Sequence, residues 1–422
     1  MNVQVVTLAL KSLYNRRLTA GLTLFAMAVS VTLLLGVHRI SQGAQEGFQS
    51  TLAGTDLIVG ARGGPLQLLL YAVFRMGSAT NNLSWESYQH LAQHPEVAWT
   101  IPISLGDSHR GYSVMGTNQD YFTHFRYGRG KSLAFASGRA FEDVFDTVIG
   151  AEVAKVLGYA EGQRVVLIHG SGEAAFLEHG DKPFRVVGIL EKTGTPVDRT
   201  VHISLAGIEA IHVDWQSGAP PMPGQAAGAD QVRQMDLTPT AITAFLVGLK
   251  SKIGIFALQR EVNEYREEPL MAILPGVTLQ ALWQMISMAD KALTTISVFV
   301  VFSGLLGMLT AILTTLNERR REMAILRSVG AKPYHIFALL VSEAGILATL
   351  GCVLGVIVLY MLLFIAQPIL EREFGLFVPI HALSGYDMAV IGCIVGCGLL
   401  MGSVPALRAY RHSLADGLTI RV

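Results

Sequence analysis

Gly130-Lys131-Ser132 ends in the manner of a phosphate-binding loop, whose glycines let backbone N–H groups wrap phosphate oxygens while the lysine reaches the outer phosphates. The spacing requires a first glycine at position 125, which is Phe125, and no apolar strand precedes it, so nucleotide binding by this route is excluded. His90 and His94 stand i, i+4 on a helical pattern, and His212 with Asp214 forms a second pair of metal-ligand types, but neither pair has a third ligand that sequence can place. With 12 His in 422 residues they are read as solvated histidines, and no metal ligand is assigned. No Gly-x-Ser-x-Gly nucleophile turn is present, and Cys393 and Cys397, which share a helix face, read as small buried apolar residues. No catalytic or cofactor-binding residue is assigned, and the chain is not read as an enzyme. Two features remain. Glu343 is an acid inside an apolar stretch, where a charge is costly and packing against a neighbouring helix or basic loop is expected. The segment Asn317 to Lys332, NERRREMAILRSVGAK, reads as a short helix with apolar Met323, Ile325, Leu326 and Val329, a charged opposite side and a terminator at Gly330.

The elements that carry these residues follow from composition. Of 422 residues, 51% are hydrophobic and only 15% charged, with mean hydropathy +0.44. Soluble domains carry roughly 25% charged residues, so part of this chain is solvated by lipid. A net charge of zero disfavours a nucleic-acid partner, and three cysteines, all in apolar stretches, offer no disulfide framework. Four windows supply the about 20 apolar residues that a bilayer core requires. They place spans at 18–38, 292–316, 336–366 and 387–407. Residues 1–17 form an amphipathic segment that is either a separate interfacial helix or a continuation of the first span, which itself reads as an uncleaved anchor. The loop 317–335, the loop 367–386 and the tail 408–422 complete the membrane part. Segments 1–18, 317–335 and 408–422 hold eleven basic residues against three acidic ones, so both termini and the 317–335 loop are expected in the cytoplasm. Arg39, just beyond the first span, is a minor exception to that asymmetry.

Residues 39–278 are mixed in character and read as an α+β domain on the far side. Short β-branched runs predict strands at Thr55–Val59, Val97–Ser104, Tyr112–Gly116, Arg164–His169, Pro183–Leu190, Val201–Ser204 and Ala241–Leu249. Helices are predicted after Ser84, over Ala151–Leu157 and over Ile253–Tyr265. QLLLYAVF, Gln67–Phe74, is too short to span; it is a buried element or an exposed apolar patch. The Pro/Gly/Ala-rich stretch 216–234 is expected to be a mobile loop. From Thr278 to Lys291, Leu279, Leu282, Met285, Ile286 and Ala289 recur at helical spacing directly into the second span, predicting a stalk helix over 279–291. Gly351/Gly355 and Gly392/Gly396 have the small-x-x-x-small spacing that permits close helix approach.

ERRREMAILRSVGAK, with ALKSLYNRRLTAGLTLFAMAVSV near the N-terminus and PALRAYRHSLADGL after the fourth span, resembles the permease subunits of the MacB/LolC/LolE/FtsX (type VII) family of ABC transporters. SGRAF followed by VIGAEVAKVLGYAEGQRVVL resembles that family's periplasmic core. The resemblance implies an α-helical membrane protein with four transmembrane helices (1+3) and a large α+β periplasmic domain between helices 1 and 2, in the bacterial inner membrane. It implies a dimer with a second permease copy or paralogue and two copies of a cytoplasmic ABC ATPase, which carries the ATP and Mg; no cofactor is expected on this chain. A periplasmic protein is a further possible partner. Carried over by position, Glu318, Arg319, Arg320, Glu322, Leu326, Arg327, Gly330 and Ala331 belong to the coupling segment on the ATPase. The chain departs from the macrolide-exporter member in having no nucleotide-binding domain within these residues, so hydrolysis is expected on a separate subunit. The function so implied is mechanotransmission for export or extraction of an amphiphilic, lipid or lipoprotein-like substrate. A signalling subunit that regulates a periplasmic enzyme, or the permease of a metal-linked uptake system, are the alternatives.

Overall fold

The computed structural model describes residues 3–51, 53–170, 177–178, 180–215, 227–318, 320–374 and 380–412, and the chain divides into two compact units. The first is residues 1–43, 286–370 and 378–422; the second is residues 44–285 and 371–377.

In the first unit a short helix, Val3–Asn15, ends before Arg17–Ser50 begins, so the amphipathic N-terminal segment is a helix of its own. Among the described residues, four helices are long and apolar enough to cross a membrane, over Arg17–Gly43, Pro275–Leu316, Pro333–Ile369 and Gly385–Ala409. Their shared core holds Met27, Val31, Leu305, Met308, Leu340, Ala348 and Ile394, while Phe25, Phe299, Phe364 and Leu400 are exposed on outward faces. Hydroxyls tie the spans together: Ser30 Oγ donates to the Val300 carbonyl (3.2 Å) and Thr32 Oγ1 to the Gly355 carbonyl (2.9 Å). The third helix continues to Phe374, through Pro368 and the acids Glu371 and Glu373.

The second unit is a mixed α/β domain on a twelve-stranded sheet. Its central path runs Leu270–Ile273, Leu57–Ala61, Ala244–Leu249, Val97–His109, Tyr112–Thr117, Thr200–Ser204, Asp146–Ile149, Phe184–Leu190 and Phe135–Gly138. Two pairings are parallel, Thr200–Ser204 on Tyr112–Thr117 and Phe184–Leu190 on Asp146–Ile149; the others on this path are antiparallel. Side chains alternate across a strand, so Ile58 joins one apolar cluster with Leu68, Ile101 and Ile273, while Leu57 and Val59 join another with Tyr88, Phe245 and Leu258. A third cluster of Val114, Phe184, Val201, Ile208 and Ile211 lies under the distal strands. QLLLYAVF is a helix, Pro65–Phe74, with Leu68, Leu69, Tyr71 and Ala72 buried, which rules out the patch reading.

The strand Val97–His109 is longer than its apolar run because Ser108 and His109 pair with Ser113 and Tyr112 across a tight turn at Arg110-Gly111, both at positive φ. Asp146–Ile149 and Leu270–Ile273 were not anticipated as strands; both are short, largely buried runs without alternation. Most of the stretch 216–234 lies outside the described residues; its end forms a turn of helix, Ala229–Val232, whose following residue Arg233 pairs with Asp143 (3.1 Å).

Candidate functional site

The charged segment after the second span is a helix over Arg320–Ser328. Its end is a Schellman turn: Gly330 N–H donates to the Arg327 carbonyl (3.0 Å) and Ala331 N–H to the Leu326 carbonyl (2.9 Å), with Gly330 at φ +101°. The four apolar residues of the segment divide. Met323 packs on the membrane core and Leu326 is half-buried, whereas Ile325 and Val329 are exposed. With exposed Glu322 at i, i+3, i+7 they form one outward face of apolar knobs beside a charge. Arg327 and Ala331 are half-buried; the side chains of Glu318 and Arg320, and Arg319 altogether, lie outside the described residues.

The helix carrying the stalk pattern is unbroken from Pro275 to Glu318. Leu279 packs on the α/β core and Leu282 is half-buried, but Met285, Ile286 and Ala289 are exposed in a single chain.

Glycine packing in the spans is unequal. A Cβ at Gly351 would lie 2.6 Å from the Met27 Cβ, and one at Gly355 2.8 Å from the Ala28 carbonyl, so both sit where the first span crosses the third. Gly392 and Gly396 meet nothing within 4 Å; the fourth span packs through Gly398 on Ala348 and Gly402 on Ala344. Within the single chain it is the 398/402 face of the fourth span, not the 392/396 face, that points at the third span. Glu343 is buried and lines a cavity of about 30 Å³ with Arg16, Thr19, Thr23 and Thr315, among groups that can hydrogen-bond a carboxylate.

In the α/β domain the histidine pairs rearrange. His90 lies beside the Tyr265 ring at a tilt (centroids 5.8 Å apart), and His94 lies 3.4 Å from Glu261. Asp214 is taken by the buried Lys182 (2.5 Å), not by His212. His212 instead meets His169 (Nε2 to Nδ1, 3.1 Å) and Asp107 (3.6 Å), and His169 Nδ1 lies 3.1 Å from Asp107 Oδ1. Hydrogen bonding and attraction to the Asp107 carboxylate hold the His169 imidazole above its usual pKa. Elsewhere in the domain His202 is fully buried, and loss of solvation, with the Arg75 guanidinium nearby, pushes it down to about 3. Gly130-Lys131-Ser132 closes a two-stranded hairpin, Arg126–Tyr127 on Lys131–Ser132, with no helix following.

Two family models match. Residues 20–265 match the MacB-like periplasmic core domain and residues 294–414 the FtsX-like permease C-terminal region. The chain belongs to the MacB/FtsX family of ABC transporter permeases. The family assignment accounts for four apolar helices joined to one large α/β domain. Among curated relatives, the macrolide export ATP-binding/permease protein MacB of Azoarcus sp. is 22% identical over 424 residues, covering 97% of this chain and 58% of that protein. The pyoverdine export ATP-binding/permease protein PvdT of Pseudomonas entomophila is 23% identical over 335 residues, covering 77% and 45%. The chain spans less than two thirds of the length of these relatives. The periplasmic region of MacB from Actinobacillus actinomycetemcomitans superposes with TM-score 0.35 at 11% identity, over 55% of this chain and 94% of that one.

Proposed function

We propose that this chain is the permease of a mechanotransmitting ABC system. ATP binding and hydrolysis on a separate cytoplasmic ATPase drive a conformational change in the extracytoplasmic α/β domain, which extrudes or extracts an amphiphilic, lipid or lipoprotein-like substrate. The carrying observation is the 44-residue helix Pro275–Glu318, about 66 Å long at 1.5 Å per residue, roughly twice the 30 Å bilayer core. It joins the α/β domain covalently to the segment just before helix Arg320–Ser328. The outward Glu322, Ile325 and Val329 are the ATPase contacts in this reading, and exposed Met285, Ile286 and Ala289 face a second permease copy. The proposed layout is a cytoplasmic helix at 1–17, a first span at 18–38, the periplasmic domain at 39–278, the stalk at 279–291 and the FtsX-like part from 292 onward. Both termini are then cytoplasmic and the membrane is the bacterial inner membrane, as the basic excess in 1–18, 317–335 and 408–422 supports.

The test is ATPase activity of the permease with its ATPase in nanodiscs. Stimulation by a lipid or lipoprotein supports the reading; stimulation only by a periplasmic enzyme replaces it with the signalling one.

A further inference from the structure

Asp107, His169 and His212 converge on one point at the edge of the α/β sheet, and among the described residues they are the one such group of three metal-ligand side chains. Each is brought there by a different element. A bulge in Val97–His109 interrupts its pairing with Tyr112–Thr117 between Leu105 and Ser108. Bulges re-aim side chains, and here the released Asp107 stands directly opposite His169 of the short strand Ile168–His169. Two further bonds lock that corner: Gly170 N–H donates to the Gly106 carbonyl (3.0 Å), and Ser108 Oγ donates to the Gly170 carbonyl (2.6 Å). His212 arrives from the last turn of helix Leu205–His212.

The protonation pattern follows from the partners. His212 Nδ1 lies 2.8 Å from the Ile208 carbonyl, which only accepts, so Nδ1 carries the proton and Nε2 presents a lone pair. Asp107, buried at 4% exposure, presents a second lone pair at Oδ1. Both face His169 Nδ1, so two acceptors share the one proton carried there. A backbone carbonyl that fixes the ligand tautomer is the arrangement found behind metal-binding histidines.

We propose that Asp107 Oδ1, His169 Nδ1 and His212 Nε2 bind one divalent transition-metal ion, with Zn²⁺ the ion whose tetrahedral geometry the site fits, displacing the His169 proton. Tetrahedral Zn²⁺ with bonds of about 2.0–2.1 Å sets its ligand atoms about 3.3–3.4 Å apart. The three separations here are 3.1, 3.1 and 3.6 Å. Two imidazoles and one carboxylate select against Mg²⁺ and Ca²⁺, which take oxygen ligands. Three protein ligands leave a fourth position for water or for a donor group of another molecule. Asp107 also lines a cavity of about 220 Å³ with Arg75, Asn82 and Ser113.

The inference does not rest on the permease reading, because its readout is metal content. The full chain in nanodiscs is stripped with chelator and titrated with Zn²⁺ against a chromophoric competitor, and with Co²⁺ as a spectroscopic probe. One Zn²⁺ per chain is expected, with intense visible bands from four-coordinate Co²⁺. His169→Ala and His212→Ala each weaken binding by about 100-fold or more, exceeding what loss of an outer-shell partner does; His90→Ala/His94→Ala leaves it unchanged. His169 is half exposed, so His169→Gln, matched to stripped wild type by thermal melting, separates loss of a ligand from loss of fold. No stoichiometric Zn²⁺ on the wild type, or equal affinity in the His169→Ala/His212→Ala double variant, overturns the proposal.

Discussion

Arg39, near the C-terminal end of the first span, forms an ion pair with Asp387 in the first turn of the fourth. Asp387 is fully buried and Arg39 nearly so. The same Asp387 carboxylate accepts from Ser384 N–H (2.8 Å) while Ser384 Oγ accepts from Asp387 N–H (3.2 Å), a reciprocal cap on that helix. Arg39 also donates to the Ala382 carbonyl (2.9 Å). This basic residue, which runs against the charge asymmetry, is therefore neutralised within the fold and is weak evidence on orientation. Asp387→Asn leaves the guanidinium buried without its counter-ion, and a loss of about 3–5 kcal/mol is expected. Thermal unfolding in detergent reads it; replacing both partners with apolar residues should recover most of the loss.

Helix Arg320–Ser328 presents Glu322, Ile325 and Val329 outward. Ile325→Glu with Val329→Glu is expected to lower ATPase co-purification at least tenfold while leaving the melting temperature of the permease within a degree or two. Met323→Glu, on the packed side, should instead destabilise the permease itself. Equal ATPase binding by the outward double variant would remove this face from the interface.

Glycine substitutions discriminate the packed from the open faces of the spans. Gly355→Val drives methyls into the Ala28 carbonyl and Val31, and an overpacking cost of about 1–3 kcal/mol is expected. Gly392→Val meets open space within the chain and should leave monomer stability unchanged. Melting curves of the two variants side by side give the answer.

His202 supplies a pH dependence. Its folded pKa is about 3, depressed from an unfolded value of 6.5, so its stabilising share is complete above pH 6.5. As pH falls from 6.5 toward 3 the unfolded chain takes up a proton that the folded domain refuses, and stability drops by about 1.4 kcal/mol per unit. His202→Gln should flatten that part of the pH–stability curve. An unchanged slope would mean that other groups carry it.

The parts legible in sequence are those with short-range causes. Four apolar runs, the cap at Ser84 and the glycine terminator at Gly330 each depend on a handful of neighbouring residues, and the structure has Ser84 Oγ accepting from Ser87 N–H (3.2 Å). The His-Asp cluster was not legible, because it unites residues 107, 169 and 212 through a bulge and a strand pairing. His212 did carry a signal, yet in sequence it could be weighed only with its neighbour Asp214, which the fold pairs with Lys182. The glycine pairs show the same limit: spacing of four marks a helix stripe, but only the neighbouring helix decides which stripe is used.

The strand Val97–His109 pairs over its first half with Ala244–Leu249 and over its second with Tyr112–Thr117. Neither half of the sheet can peel away without breaking the ladder of the same strand. Hydrogen exchange should therefore find the two halves opening together, with Ile101, Ile103 and Val114 amides among the slowest. Under tension such a strand behaves as a shared tie-bar: a pull along its axis loads both ladders in shear, with many hydrogen bonds resisting at once. A domain built this way moves as a single block when one end is displaced.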